Sequence, residues 1–150
     1  QPEGANCVTT DLQKVIMLPR IDTFKKVLFL KRLVVYNETF APVGANSKLT
    51  PFLCLWHEAI RMRNKEELVS TFYCFFKKNR DSKIINIWLD NCSGQNKNWC
   101  LYSFLVMIIN SDEIAASEIN LFYFEAGHSF MAADSVHHQI ELSLKRQGKT

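Results

Sequence analysis

Residues 83–98 read KIINIWLDNCSGQNKN, and the fold turns on how they are read. KIINIWLD, 83–90, is a short, nearly continuous apolar run, which suits a strand buried on both faces of a sheet. Asp90 closes it. The polar turn NCSGQN follows, with Ser93 placed to cap a helix and Gly94 permitting a tight approach. Residues 97–109 are apolar enough for a well-buried helix. A strand that ends on a carboxylate and turns straight into a helix is a unit of an open α/β sheet. Sites in such sheets form beyond the carboxyl ends of parallel strands.

Upstream, CVTTDLQKVIML (7–18) reads as a strand interrupted by Asp11 and stopped by Pro19. A second strand lies within 27–43 and a third at 51–59, joined by the turn chemistry of Pro42 and GANSKLTP. Three strands with short links imply an antiparallel meander. Asn64 and Glu67 then form a capping-box-like start. Leu68, Val69, Phe72, Tyr73, Phe75 and Phe76 recur at helical spacing through 65–78. Downstream come a compact strand at 119–127 and a helix over 131–146, where Val136, Ile140 and Leu144 share one side. The order β-β-β-α-β-α-β-α implies an α/β domain over 1–150, with a mixed five-stranded sheet and helices on both faces.

Composition narrows the function classes. Of the 150 residues, 47% are hydrophobic and 22% charged, which excludes disorder as the dominant state. No apolar run approaches the ~18 residues of a membrane span, so no membrane partner is expected. The opening QPEGANCVTT lacks the basic and apolar regions of a signal peptide and reads as the cut edge of a larger protein. The formal net charge of +3 hides an asymmetry. Residues 1–83 hold 14 basic and 8 acidic side chains, and residues 84–150 hold 4 and 7. One half attracts polyanions; the other carries carboxylates that a metal ion would balance. The five cysteines form no CxxC pair, which argues against a zinc ribbon and for reduced thiols of the cytosol or nucleus. Cys54 and Cys74 lie in apolar runs and read as buried, and Trp56, Trp88 and Trp99 read as core.

The candidate site starts from three acids. Asp11 sits inside a strand, where a charge costs free energy unless it meets solvent, a partner or a metal. Asp90 ends the most buried strand, and Asp134 opens the last helix. Asp134, His137, His138 and Glu141 fall at i, i+3, i+4 and i+7, on an arc of roughly 100° opposite the Val136/Ile140 side. Oxygen ligands suit Mg²⁺ or Mn²⁺, and imidazole admits Mn²⁺ or Zn²⁺. The plain alternative is a solvated helix face, with Asp134 favoured there by the helix dipole. After Asp90, free amides with Asn96 and Lys97 are placed to meet a phosphate, or else form an ordinary turn. His128, in the turn after the last strand, falls on the same expected rim.

The blocks DLQKVIMLP, LVVYN, LWHEAIRMRNKEE, WLDNCSGQNKN and GHSFMAADSVHHQIE resemble those of a eukaryotic transposon-derived, transposase-like family, many of whose members are labelled domains of unknown function. The resemblance runs from Asp11 to Glu141 and implies a ribonuclease H-like core of the DDE/DDD type. It implies Asp11, Asp90 and Asp134 as catalytic, metal-binding acids, with Glu141 the rival for the third place. His128 or His137 would orient the phosphate or support a ligand. Two Mg²⁺ or Mn²⁺ ions would drive in-line phosphoryl transfer on DNA, at transposon ends and target, in the nucleus. A homo-oligomer is compatible with that reading. Two other readings stand beside it. One is a domesticated module that binds DNA or protein without cutting. The other is a zinc- or manganese-dependent phosphoesterase built on His128, Asp134, His137 and Asp90.

Overall fold

The computed structural model describes residues 5–20, 29–44, 50–125 and 131–147. In chain order the elements are β1 (Ala5–Leu12), β2 (Ile16–Leu18), β3 (Leu33–Pro42), β4 (Phe52–His57), α1 (Lys65–Lys78), β5 (Ile84–Leu89), the short α2 (Ser93–Asn96), α3 (Trp99–Ile109), β6 (Glu118–Tyr123) and α4 (Ala132–Gln147). The class is α/β, as expected. β3 runs antiparallel to β1 and β4, while β5 and β6 run parallel to β1, in the spatial order β4-β3-β1-β5-β6.

The sheet has six strands rather than five, because the expected strand over 7–18 breaks in two. Leu12 pairs with Glu38, but Ile16 pairs with Val35, so residues 13–15 of one strand face residues 36–37 of the other. This is a β-bulge, which bends its strand and re-aims the side chains beside it. Gln13 locks it: its N–H donates to the Asn37 carbonyl at 2.9 Å, and its Oε1 accepts from Asn37 Nδ2 at 2.9 Å. β2 continues along the edge of β3 that β1 occupies. Val35 pairs with Ile16 on that edge and with His57 of β4 on the other.

The two faces of the sheet differ. Val8, Phe40, Ile85, Ile87 and Leu89 point to one side and pack with Phe72, Phe75 and Phe76 of α1 and Leu101, Phe104 and Ile108 of α3. Phe40 stacks on Phe75 at 4.4 Å, and Phe76 is fully buried. Each such aromatic contributes about 1.5–3 kcal/mol by leaving water. On the opposite face α4 lies against β1 and β3, where Ala41, Met131 and Ala133 form a small apolar cluster. Ala133 N–H donates to Thr9 Oγ1 at 3.2 Å, which a larger hydrophobic residue in place of Thr9 would not allow.

Several local expectations change. β5 is fully buried on one face only: Ile85, Ile87 and Leu89 are enclosed, while Asn86 and Trp88 are half-buried. The reason is that α4 covers β1 and β3, leaving Trp88 to stack on Phe122 at 4.8 Å and on Phe124 at 5.2 Å. Trp99 is 83% exposed, as the first residue of α3. Cys74 is exposed, because it lies between buried Phe72 and Phe75 on the outward turn of α1. Asn64 takes the N-cap position of α1 but its side chain makes no cap bond, and Glu67 instead lies 3.9 Å from Arg61. Cys92, not Ser93, precedes the short α2, while Asn98 caps α3 by accepting from Leu101 N–H at 3.1 Å. Among the described residues no helix is long and apolar enough to cross a membrane.

Candidate metal centre

Three of the expected ligands meet. Asp11, Asp134 and His137 each offer one ligand atom, and these atoms all lie within 4.8 Å of one another. Asp11 arrives from β1 just before the bulge, on the face toward α4. Asp134 and His137 are one turn apart on α4, which brings i and i+3 side chains to one side. The helix turns this polar seam inward. Ala133 and His137 are its buried residues, whereas Val136 and Ile140 are half-buried and His138 is exposed. Val136 and Ile140 share the side of Ala133, at i+3 and i+7 from it, and Val136 packs against the cluster of Ala41, Met131 and Ala133, so the expected apolar side is kept and the polar seam borders it. Small Ala133 lets the helix approach the strand, and Thr9 and Asp11 supply polar partners where an apolar stripe would find none.

Helix start and ligand position coincide at Asp134. Its Oδ2 accepts from Met131 N–H at 2.7 Å, and its own N–H donates to the Met131 carbonyl at 3.0 Å. A carboxylate near a helix N-terminus is favoured by the dipole, so the fold fixes this side chain whether or not a ligand binds.

The electrostatics are those of a cluster short of positive charge. Burial, followed by the charges of Asp134 and Asp90, pushes the Asp11 carboxyl up to about 7, against the pull of a backbone hydrogen bond at Leu12. Burial lowers His137, partly offset by Asp134, and so favours the neutral imidazole. His137 Nδ1 stands 3.7 Å from Asp11 Oδ2, and its buried Nε2 has no hydrogen-bond partner. A neutral imidazole with an orphaned nitrogen beside two carboxylates is a donor set that fits a divalent cation, and this cluster could hold one.

The remaining expected residues lie differently. Asp90 stands outside the three-ligand cluster, although its charge is felt at Asp11. Its Oδ1 accepts from Cys92 N–H at 2.9 Å and from Asn96 Nδ2 at 2.7 Å. Asn96 therefore holds Asp90 rather than presenting its amide to a phosphate. Lys97 lies over the Tyr123 ring at 4.6 Å, and the Tyr123 hydroxyl donates to the Asn96 carbonyl at 2.8 Å. These contacts brace the Asp90 turn against β6. Glu141 is not part of the cluster; its Oε2 pairs with Arg20 Nη1 at 2.6 Å, two turns along α4 from Asp134. Of the two rival acids on α4, Asp134 is the one that joins the cluster. His128 lies outside the described residues.

One acid beside the site escaped the sequence reading. Glu38, within β3, is fully enclosed; its Oε1 accepts from Thr10 Oγ1 at 2.6 Å. Burial pushes its carboxyl up to about 8, with Asp11 and Asp90 adding to the rise and Thr10 and Arg63 opposing it. The signal was present in NETF, a charge inside a strand, by the same argument that singled out Asp11.

The family of a domain of unknown function, DUF7869, matches residues 47–150, and the chain belongs to that family. No curated protein and no solved structure matches it.

Proposed function

We propose, taking that membership as the premise, that the chain is the ribonuclease H-like catalytic core of a transposase-type, metal-dependent DNA nuclease or strand-transferase. The observation that carries the reading is the meeting of Asp11, Asp134 and His137 from two distant parts of the chain, with the charge of Asp90 reaching Asp11. The sheet order supports it: an antiparallel meander whose first strand is central and parallel to the two strands that follow. An Asp on that first strand, another just past the neighbouring strand and a third on the last helix is the arrangement such a core uses.

Divalent cations, Mg²⁺ or Mn²⁺, would supply activation of the attacking oxygen and stabilisation of the leaving oxygen in an in-line displacement. Asp11 and Asp134, with His137, would hold one ion; Asp11 and Asp90 would share a second. Asn96 and the Cys92 amide fix the Asp90 carboxylate so that one oxygen is committed and the other is free to ligate. His137, kept neutral by burial, keeps a lone pair for a ligand rather than a proton. Asp134 is held by the Met131 amide, so its contribution costs little ordering on binding. A DNA substrate would place the working protein in the nucleus, with transposon ends and target as partners and other parts of a longer protein, or a second copy, completing the assembly.

The test is cleavage of end-labelled DNA in Mg²⁺ or Mn²⁺. Activity should be abolished by chelation and by Asp11→Asn or Asp134→Asn. Unchanged cleavage in both variants would overturn the reading. A second reading, a DNA- or protein-binding module that no longer cuts, draws support from Asp90 standing outside the cluster. It predicts binding without cleavage in any divalent metal.

A further inference from the structure

A second polar concavity lies further along α4. It encloses about 500 Å³ and is lined by Lys14, Val15, Ile16, Met17, Arg20, Arg32, Glu141 and Leu144, where β2 and the approach to β3 meet the helix. Three cations thus face one carboxylate. Arg20 is spent on Glu141 at 2.6 Å. Among the described residues Lys14 and Arg32 form no ion pair. Lys145, exposed and one turn beyond Glu141, extends the positive surface on the same side of the helix.

We propose that this concavity binds the sugar-phosphate backbone of DNA, as a sequence-independent phosphate site flanking the acid cluster. Two cations without an ion-pair partner among the described residues, in a concave surface, leave a positive potential that attracts an anion. Its place along the helix suits a strand. Glu141 lies about 10 Å along the α4 axis from Asp134 at ~1.5 Å per residue. A strand whose reacting phosphate sits at Asp11 and Asp134 would present a nearby phosphate of the same backbone to Lys14 and Arg32. The bulge at residues 13–15 brings this about, since it turns the chain after Asp11 and ends with Lys14 and Val15 exposed on the cavity wall. This inference rests on the phosphoryl-transfer reading for the location of the reacting phosphate, but the binding itself needs no metal.

The experiment is fluorescence anisotropy of a labelled duplex with the 150-residue chain in excess EDTA, over 50–200 mM salt. In the wild type, log affinity should fall linearly with log salt. The double variant Lys14→Gln/Arg32→Gln should bind several-fold more weakly, equally for unrelated sequences, with a salt slope smaller by about 2. Asp11→Asn should bind in EDTA at least as well as wild type. The proposal is overturned if the wild type does not bind at 50 mM salt, or if the double variant keeps the wild-type slope. It also fails if a poly-glutamate peptide of matching charge binds as tightly as the DNA. Absence of cleavage with intact EDTA binding would remove the catalytic reading and leave this site standing.

Discussion

The two faces of one sheet are stabilised on opposite terms. Under α1 and α3 the strands present Val8, Phe40, Ile85, Ile87 and Leu89 to a cluster of phenylalanines, and water is excluded from apolar surface. Under α4 the neighbouring positions are Thr9 and Asp11, closed over by Asp134 and His137. The first face gains free energy by hiding. The second spends it, because two carboxylates in partial burial repel one another unless a proton or a cation offsets their charge. The lesson is a division of labour: the apolar face holds the sheet rigid enough for the polar face to remain poised.

The largest break in that comparison is on the apolar side. Phe76→Ala should cost about 3–5 kcal/mol in urea unfolding, because a fully buried aromatic leaves a cavity the helix cannot collapse into. An effect under 1 kcal/mol would mean that the face is loosely packed. Next comes ligand linkage on the polar side. Mn²⁺ at a hundredfold its Kd should stabilise the wild type by about 2.7 kcal/mol. Thermal melts should show no such gain in Asp134→Asn.

A third test uses Glu38, which points toward the apolar side with Thr10 and Phe40 yet carries a carboxyl. Its proton is held to about 8 in the folded chain, against an ordinary value of 4.5. Its contribution to stability is therefore complete below pH 4.5 and lost as pH rises through about 8. Glu38→Gln should change the melting temperature little at pH 5 and raise it by several degrees relative to wild type at pH 9. A parallel pH profile in both proteins would show that the carboxyl is not enclosed as described. The smallest effect belongs to Trp99, exposed at the start of α3: Trp99→Ala should alter stability by no more than about 0.5 kcal/mol.

Much of the apolar face was legible in the sequence because it follows one rule. The spacing of Phe72, Phe75 and Phe76 and the run over 83–90 place α1 and β5 to within a residue at each end. The polar face was legible only in part. Asp11 could be singled out because a charge inside a strand demands a reason, and Asp134 and His137 because they share one side of a helix. How far that polar side turns inward could not be read. Periodicity turns Val136 and Ile140 inward, and Val136 does pack against the Ala133 cluster, but His137 at the border of that side is buried as well, because Thr9 and Asp11 give it and the helix start polar partners. The split of the first strand at residues 13–15 was hidden for a related reason. A bulge is fixed by the partner strand, here through Asn37 and Gln13, and leaves no local mark. Glu141 was separated from the site by its ion pair with Arg20, a contact between residues too far apart in sequence to anticipate.

The account stands or falls on whether Asp11, Asp134 and His137 hold a divalent cation. Electron paramagnetic resonance of Mn²⁺ titrated into the chain reads this directly. The account predicts that the free-ion signal is lost on binding, that nitrogen coupling from the imidazole disappears in His137→Ala, and that Asp11→Asn leaves the ion free. A free-ion signal undiminished by wild-type protein, or binding unchanged in Asp11→Asn, would contradict it.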